Sequence, residues 1–280
     1  MLKIAIPYED NFTKQTVEQL VAAGVRFEFS ERGAIVFSED FPAQISMMSY
    51  AQIISSISTG IQDVGIVGEH HVKESSLRFN TVHKFNSSKT NLSISVNNNF
   101  KYNGLDSLSG KKIATPFPNI ATSFFKGKNI RVLTVNCPQD TENSVILGLA
   151  DAVLNVVQPK NSRLKEVETV LQSSPLLIAN QNLSPAKQMF LDELLDRISS
   201  VQNAFGKKML RITAKMKNIK QLQKTLSQLD NSLMVMSDIN NQNAVFQLII
   251  DKKQLWDMKA HLQTLGAESI MVLPLENFIF

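Results

Sequence analysis

Two spacings of apolar residues alternate along this chain, one of strand type and one of helix type, and their changes of period mark out its elements. "LKIAIP" is a short apolar run at residues 2–7, followed by "FTKQTVEQLVAAGV". There Val17, Leu20 and Val21 recur at helical spacing between a capping Thr13 and a terminating Gly24. "AQIISSIST" predicts a helix ending at Gly60, and "QDVGIVG" a buried strand whose glycines mark places where backbone approaches a neighbour closely. "NLSISV" alternates as a strand, "LSGKKIATPF" is a turn and strand, and "NIATSFFKGKN" is a helix with Asn119 near its cap. "IRVLTVN" predicts a strand, "DTENSVILGLA" a helix up to the Gly148 turn, and "DAVLNVV" the next strand. The segment from Leu164 onward fits either a helix or a second strand. Strand and helix alternating at this rhythm predict an α/β fold with a parallel, doubly wound sheet, in two lobes with a cleft between them.

Residues 184–204 carry the longest helical pattern, with Ser184 at the N-cap position and Pro185 at the first helical position. Beyond "FGKK" the rhythm changes: "KMLRITAKM" reads as a strand, "IKQLQKTLSQLD" as a helix, "SLMVMS" and "NAVFQLIID" as strands, "KQLWDMKAHLQTLG" as a helix closing on Gly266, and "ESIMVLPLENF" as a last strand. That order, β-α-β-β-α-β in about 75 residues, predicts a ferredoxin-like domain, a module often used to sense small molecules. The expected division is residues 1–91 with 176–205 as a first lobe, 92–175 as a second, and 206–280 as the third domain.

With 280 residues, 43% of them hydrophobic, the chain can support two or three compact lobes with cores of their own. Its net charge of +4 and pI near 9.0 suit anionic ligands, but no arginine-rich stripe with interleaved aromatics points to nucleic acid. The single cysteine, Cys137, rules out an intrachain disulfide framework and fits a reducing compartment. "MLKIAIPYED" leads straight into a strand without a signal-peptide pattern, and no stretch reaches the roughly 18 apolar residues of a membrane span. A cytoplasmic protein without membrane or nucleic-acid partners is expected.

Several conspicuous side chains have plain readings. Glu69-His70-His71, taken as an extended segment, sends its histidines to opposite faces, so hydrogen-bonded or solvated rings are expected rather than a metal site. His83 and His261 read as surface residues, and Ser87-Ser88-Lys89-Thr90 as a polar turn. Met234, Met236 and Met271 are expected in the core of the last domain, Trp256 with Met258 and Leu262 on the inner face of a helix, and Lys207-Lys208 at a solvated hinge.

"LKIAIP", "DVGIVGE" at 63–69, "LSGKKIATPFPNIATSFF" at 108–125, "GLADAV" at 148–153, "LKEVETVLQSSPLLIAN" at 164–180 and "LGAESIMVLPLENF" at 265–278 follow one another in an order and spacing that resemble the long form of ATP phosphoribosyltransferase. The likeness runs over essentially the whole chain. It implies a two-lobed, periplasmic-binding-protein-like half and a C-terminal ferredoxin-like regulatory domain. It also implies transfer of a phosphoribosyl group from phosphoribosyl pyrophosphate to a ring nitrogen of ATP, the first step of histidine biosynthesis. Mg²⁺ on the pyrophosphate, histidine as feedback inhibitor, and dimers assembling to hexamers are implied with it.

Measured against that family, three substrate-facing stretches depart. A Lys-Gly-Arg-Leu-type turn is replaced by Tyr8, Glu9, Asp10, Asn11 and Phe12, which reverses the local field. An Arg followed by an Asp-Ile-Pro-type segment becomes Ser49-Tyr50-Ala51-Gln52-Ile53-Ile54. A Thr-Gly-x-Thr-Leu phosphate cradle becomes "QPKNSR" at 158–163, about four residues shorter, without glycine and with a proline that removes one amide donor. Losing three or four charge-assisted hydrogen bonds at ~1.5–3 kcal/mol each removes roughly 5–10 kcal/mol of phosphate binding, which Lys160, Asn161, Ser162 and Arg163 can partly restore. Asn155 stands at the family's ribose-side aspartate, while Glu142, Asp151, Lys112 and Thr115 keep family positions. By resemblance these nine residues form the substrate-binding set. The expected function is ATP phosphoribosyltransferase with a degraded phosphate loop. The alternatives are a non-catalytic regulatory paralogue paired with an active partner, and a cleft re-used for another small ligand.

Overall fold

A computed structural model describes residues 1–8, 12–29, 34–86, 88–138, 141–156, 164–228, 234–237 and 243–279. The chain divides into two compact units, 1–193 and 194–280. In chain order the first holds β1 (Leu2–Pro7), α1 (Lys14–Ala22), β2 (Ile35–Phe37), β3 (Ala43–Met48), α2 (Tyr50–Ser58), β4 (Val64–Gly68), α3 (Glu69–Ser75) and β5 (Asn80–Lys84). It continues with β6 (Thr90–Val96), β7 (Lys112–Thr115), α4 (Pro118–Gly127), β8 (Leu133–Asn136), α5 (Thr141–Ile146), β9 (Ala152–Val156), β10 (Lys165–Ser173) and β11 (Pro175–Ala179). After α6 (Pro185–Ala204) come β12 (Lys207–Lys215), α7 (Ile219–Leu226), β13 (Met234–Ser237), β14 (Asn243–Asp251), α8 (Lys252–Thr264) and β15 (Ala267–Pro274).

The first unit is α/β and two-lobed, built on two sheets with strand orders β2-β3-β1-β4-β11-β5 and β10-β6-β9-β7-β8. Neither sheet is the all-parallel array that the alternating rhythm predicts. β1 runs parallel to β3 and β4, and β7 parallel to β8 and β9, but β11 lies antiparallel between β4 and β5, and β6 antiparallel between β9 and β10. The reason is connectivity. The chain crosses between sheets from β5 to β6 and returns at Ser174 between β10 and β11, and such strands are free of the right-handed helical crossover that keeps βαβ strands parallel. The ambiguous segment after Leu164 is strand β10, paired along its length with β6.

Every residue of β4 is buried, and its glycines answer to close neighbours. A Cβ on Gly65 would stand 2.5 Å from Ile53 of α2, and one on Gly68 would stand 2.5 Å from the His70 ring. Ala5, Ile53, Ile57, Val67, Leu176 and Ile178 pack together on this side of the first sheet. Thr13 occupies the N-cap position of α1 without a side-chain hydrogen bond to the helix. α2 has a full capping box instead: the Ser49 hydroxyl accepts from the Gln52 amide and the Gln52 side chain accepts from the Ser49 amide at 2.9 Å. Leu92, Ile94, Ile113, Phe117, Ala121, Phe125 and Leu154 form the core of the second sheet.

The last sheet, β13-β14-β12-β15, is antiparallel throughout and carries α7 and α8, the expected ferredoxin-like βαββαβ arrangement. Leu210, Ile212, Phe246 and Leu248 face the helices. Residues of opposite parity line the other face, so Met234, Met236 and Met271 are 58%, 42% and 51% exposed, a correction to their expected place in the core. Strand alternation identifies two faces but not which one the helices cover. Trp256 is likewise 69% exposed on α8, while Leu262 of the same helix is buried. Lys207 and Lys208 open β12 rather than forming a hinge. His261 is exposed as expected, whereas His83 is half-buried with its ring edge-on to Phe85 at 4.8 Å.

Candidate functional site

In α/β sheets the parallel strands aim their carboxyl ends, and the loops that follow, at one side, where ligands bind. β7, β8 and β9 end at Thr115, Asn136 and Val156 on that side of the second sheet. Thr115 is buried; its hydroxyl accepts from the Phe117 amide at 2.9 Å, and its carbonyl accepts from the Cys137 amide at 2.9 Å. Asn155 donates through Nδ2 to the Thr141 hydroxyl at 2.7 Å, and its Oδ1 accepts from the Val156 amide at 2.7 Å. Thr141, buried, opens α5, and Glu142 is half-buried in the same first turn.

Lys112 and Asp151 lie at the opposite end of the strands. β7 puts about 10 Å of rise between Lys112 and Thr115. The Asp151 carboxylate accepts from the Lys112 amide at 2.9 Å and stands 3.7 Å from the Lys111 ammonium, while the Asp151 amide donates to the Lys112 carbonyl at 2.9 Å. These bonds staple the amino ends of β7 and β9 together. The nine expected residues therefore divide. Thr115, Asn155 and Glu142 lie toward the carboxyl ends of the parallel strands, Lys112 and Asp151 at the far end, and Lys160, Asn161, Ser162 and Arg163 outside the described residues.

Facing these from the first sheet is α3, which begins where β4 ends. Its first residues, Glu69, His70 and His71, are helical rather than extended, so the two histidines are neighbours on one turn with ring centroids 4.2 Å apart. His70 is buried, and its Nδ1 lies 2.7 Å from the Ser173 hydroxyl at the end of β10. His71 stacks on Tyr50 at 4.1 Å and 21°, and Phe117 of the second lobe meets both imidazoles edge-on at 5.1 and 5.5 Å. Burial, aided by His70, pushes the His71 pKa down to about 3, so the ring is neutral at physiological pH. Burial pushes Glu69 up, but hydrogen bonds from Lys84 at 2.8 Å and Lys73 at 3.0 Å outweigh it and hold the carboxyl below its usual range.

A further joint links the end of α3 to the start of α4. Both Glu74 carboxylate oxygens accept from α4 backbone, Oε1 from Asn119 and Oε2 from Ile120, each at 3.0 Å, and Asn119 Nδ2 donates back to the Glu74 carbonyl at 2.8 Å. Asn119, expected near the cap, is instead the second residue of α4; Phe117 holds the N-cap position and Pro118 the first, so no side chain of its own caps the helix. Among the described residues no group of three or more His, Cys, Asp or Glu could hold a metal ion.

A family model for ATP phosphoribosyltransferase matches residues 50–200. The ATP phosphoribosyltransferase of Bacteroides fragilis is 32% identical over 283 aligned residues, covering 100% of both chains. That of Parabacteroides distasonis is 31% identical with the same full coverage. Among solved structures, an ATP phosphoribosyl transferase (HisG:HisZ) complex from Thermotoga maritima shares the fold, with a TM-score of 0.59 and 18% identity over 71% of this chain and 96% of that one. With a family model matched over more than half of its length and relatives matched from end to end, this chain belongs to the ATP phosphoribosyltransferase family.

Proposed function

We propose that the protein transfers the phosphoribosyl group of phosphoribosyl pyrophosphate to ATP, releasing pyrophosphate and forming phosphoribosyl-ATP for histidine biosynthesis. The end-to-end match to ATP phosphoribosyltransferases carries this reading. The substrates bind between the lobes at the carboxyl ends of β4, β7 and β9. Asn155, fixed by Thr141, faces the ribose, and Thr115 and Glu142 line the same side. Lys160, Asn161, Ser162 and Arg163 take the 5′-phosphate in place of the family's glycine-containing cradle. Lys112 and Asp151 serve the site by fixing β7 to β9 rather than by touching substrate.

Mg²⁺ would arrive on the pyrophosphate, since this ion keeps several waters and is held largely by substrate oxygens. When bound it would neutralise the leaving group, and Glu142, in the first turn of α5, is the carboxylate that would help to hold it. The membership of the two sheets, β1–β5 with β11 and β6–β10, supports two lobes dividing near residues 91 and 175. Residues 176–193 complete the first lobe, those from 194 group with the last unit, and the regulatory domain from residue 206 binds histidine. The working form is a cytoplasmic homo-oligomer, dimer to hexamer, or an assembly with a second chain type.

Incubating the protein with ATP, phosphoribosyl pyrophosphate and Mg²⁺ tests the reading, phosphoribosyl-ATP being followed by its ultraviolet absorbance. Turnover within the usual enzyme range of about 1–1,000 per second is expected. Turnover no faster than the protein-free control would overturn it in favour of a non-catalytic paralogue. A thermal-shift titration with histidine tests the regulatory domain separately.

A further inference from the structure

We propose that Glu74 is an interlobe positioning residue, which sets the closure of the substrate cleft by capping a helix of the opposite lobe. This rests on the cleft being the transferase site, as argued above. α4 cannot cap itself. Its N-cap residue is Phe117, which has no side-chain acceptor, and its first residue is Pro118, so the amides of Asn119 and Ile120 are the first left without an intrahelical partner. Glu74, near the end of α3 and 45 residues earlier in the chain, supplies one carboxylate oxygen to each amide at 3.0 Å. The exchange is reciprocal: the Glu74 carbonyl, among the last of α3 and so beyond the reach of its own helix, receives the Asn119 amide group at 2.8 Å.

A negative group at a helix amino end is favoured by the helix dipole as well as by the two hydrogen bonds. Because the acceptor comes from one lobe and the donors from the other, this contribution exists only while the lobes are held together. Two of its three hydrogen bonds are exposed, so water can replace those when the cleft opens. It therefore acts as a reversible catch. His70 and His71 meet Phe117 at the same joint, and Phe117 follows Thr115, whose hydroxyl holds the Phe117 amide. Moving α4 away from α3 thus moves the ligand-side end of β7 with it.

Spin labels at Ser58→Cys on α2 and Lys128→Cys beyond α4, both exposed positions, in a Cys137→Ser background, report the interlobe distance by pulsed electron resonance. Glu74→Ala is expected to lengthen or broaden that distance and to raise KM for both substrates about tenfold with kcat changed much less, the scale of losing one helix cap. Glu74→Gln, which keeps shape and one acceptor oxygen, is expected between Ala and the parent, and it serves as the test should the alanine variant fail to fold. A lower Tm with an unchanged distance distribution overturns the proposal, because it leaves Glu74 as a local stabiliser only. A changed distance with unchanged KM overturns the link to the cleft. If the parent protein shows no turnover, the transferase reading fails on its own, while the distance measurement still decides whether Glu74 holds the lobes.

Discussion

At the amino-terminal edge of the first sheet, the buried Asp63 carboxylate accepts from the Lys3 amide at 2.8 Å and from the Lys187 ammonium of α6 at 2.7 Å. Asp63→Asn keeps the shape and discharges the buried partner of this pair, leaving a lysine that is one-third exposed without its counter-ion. A loss of about 2–4 kcal/mol in urea denaturation is expected, and Lys187→Met, which removes the other charge and keeps the stem, should cost less when combined with it than alone. His71 makes a prediction about pH. Its pKa falls from 6.5 to about 3 on folding, chiefly by burial and secondarily through His70. Between those limits the unfolded chain binds a proton that the folded protein does not, so stability rises with pH across that window and is indifferent to this residue above it. His71→Phe, which preserves the stack on Tyr50, is expected to flatten the acid limb of Tm against pH between about 4 and 6. An unaltered slope would assign that limb to other groups.

Among the elements, periodicity located most of what the structure contains, and its failures have physical causes. The apolar runs at "LKIAIP", "VGIVG" and "AVLNV" are strands with successive buried residues facing both sides, and the βαββαβ rhythm of the last domain is present in full. Glu69-His70-His71 is helical rather than extended, and adjacent histidines carry no helical period that would reveal it; α3 exists because Gly68 ends a strand and the turn packs on Phe117. The pattern at 35–48 predicts no strand, yet β3 lies there beside β1, and β2, only three residues long, pairs antiparallel to it at the sheet edge. The candidate site was visible as a set of residue types, but strand length decides which of them meet, and it sends Lys112 away from Thr115. Alternation likewise left open which face of the last sheet is covered. Phe246→Ala, on the covered face, should cost about 3–5 kcal/mol, whereas Met271→Ser, on the open face, should stay within about 0.5 kcal/mol. Chemical denaturation of the two variants side by side measures the contrast.

For the whole molecule, two compact units imply two cooperative transitions rather than one. The single tryptophan, Trp256, lies in the second unit and reports on it alone, while far-ultraviolet dichroism reports on both. Urea transitions followed by the two signals are expected not to coincide; superimposable curves would mean that the units unfold as one. The place of β11 has a further consequence, for synthesis. β11 fills the position between β4 and β5, and its Pro175 pairs with Gly68, so the first sheet receives an interior strand about a hundred residues after the neighbour it completes. Strands β6 to β10, by contrast, come from one unbroken stretch of chain. On the ribosome the second lobe has all of its strands while the first still presents two open edges, those of β4 and β5, to the nascent-chain environment. Maturation of this protein therefore runs from the middle of the sequence outward, with the beginning of the chain waiting on its later part.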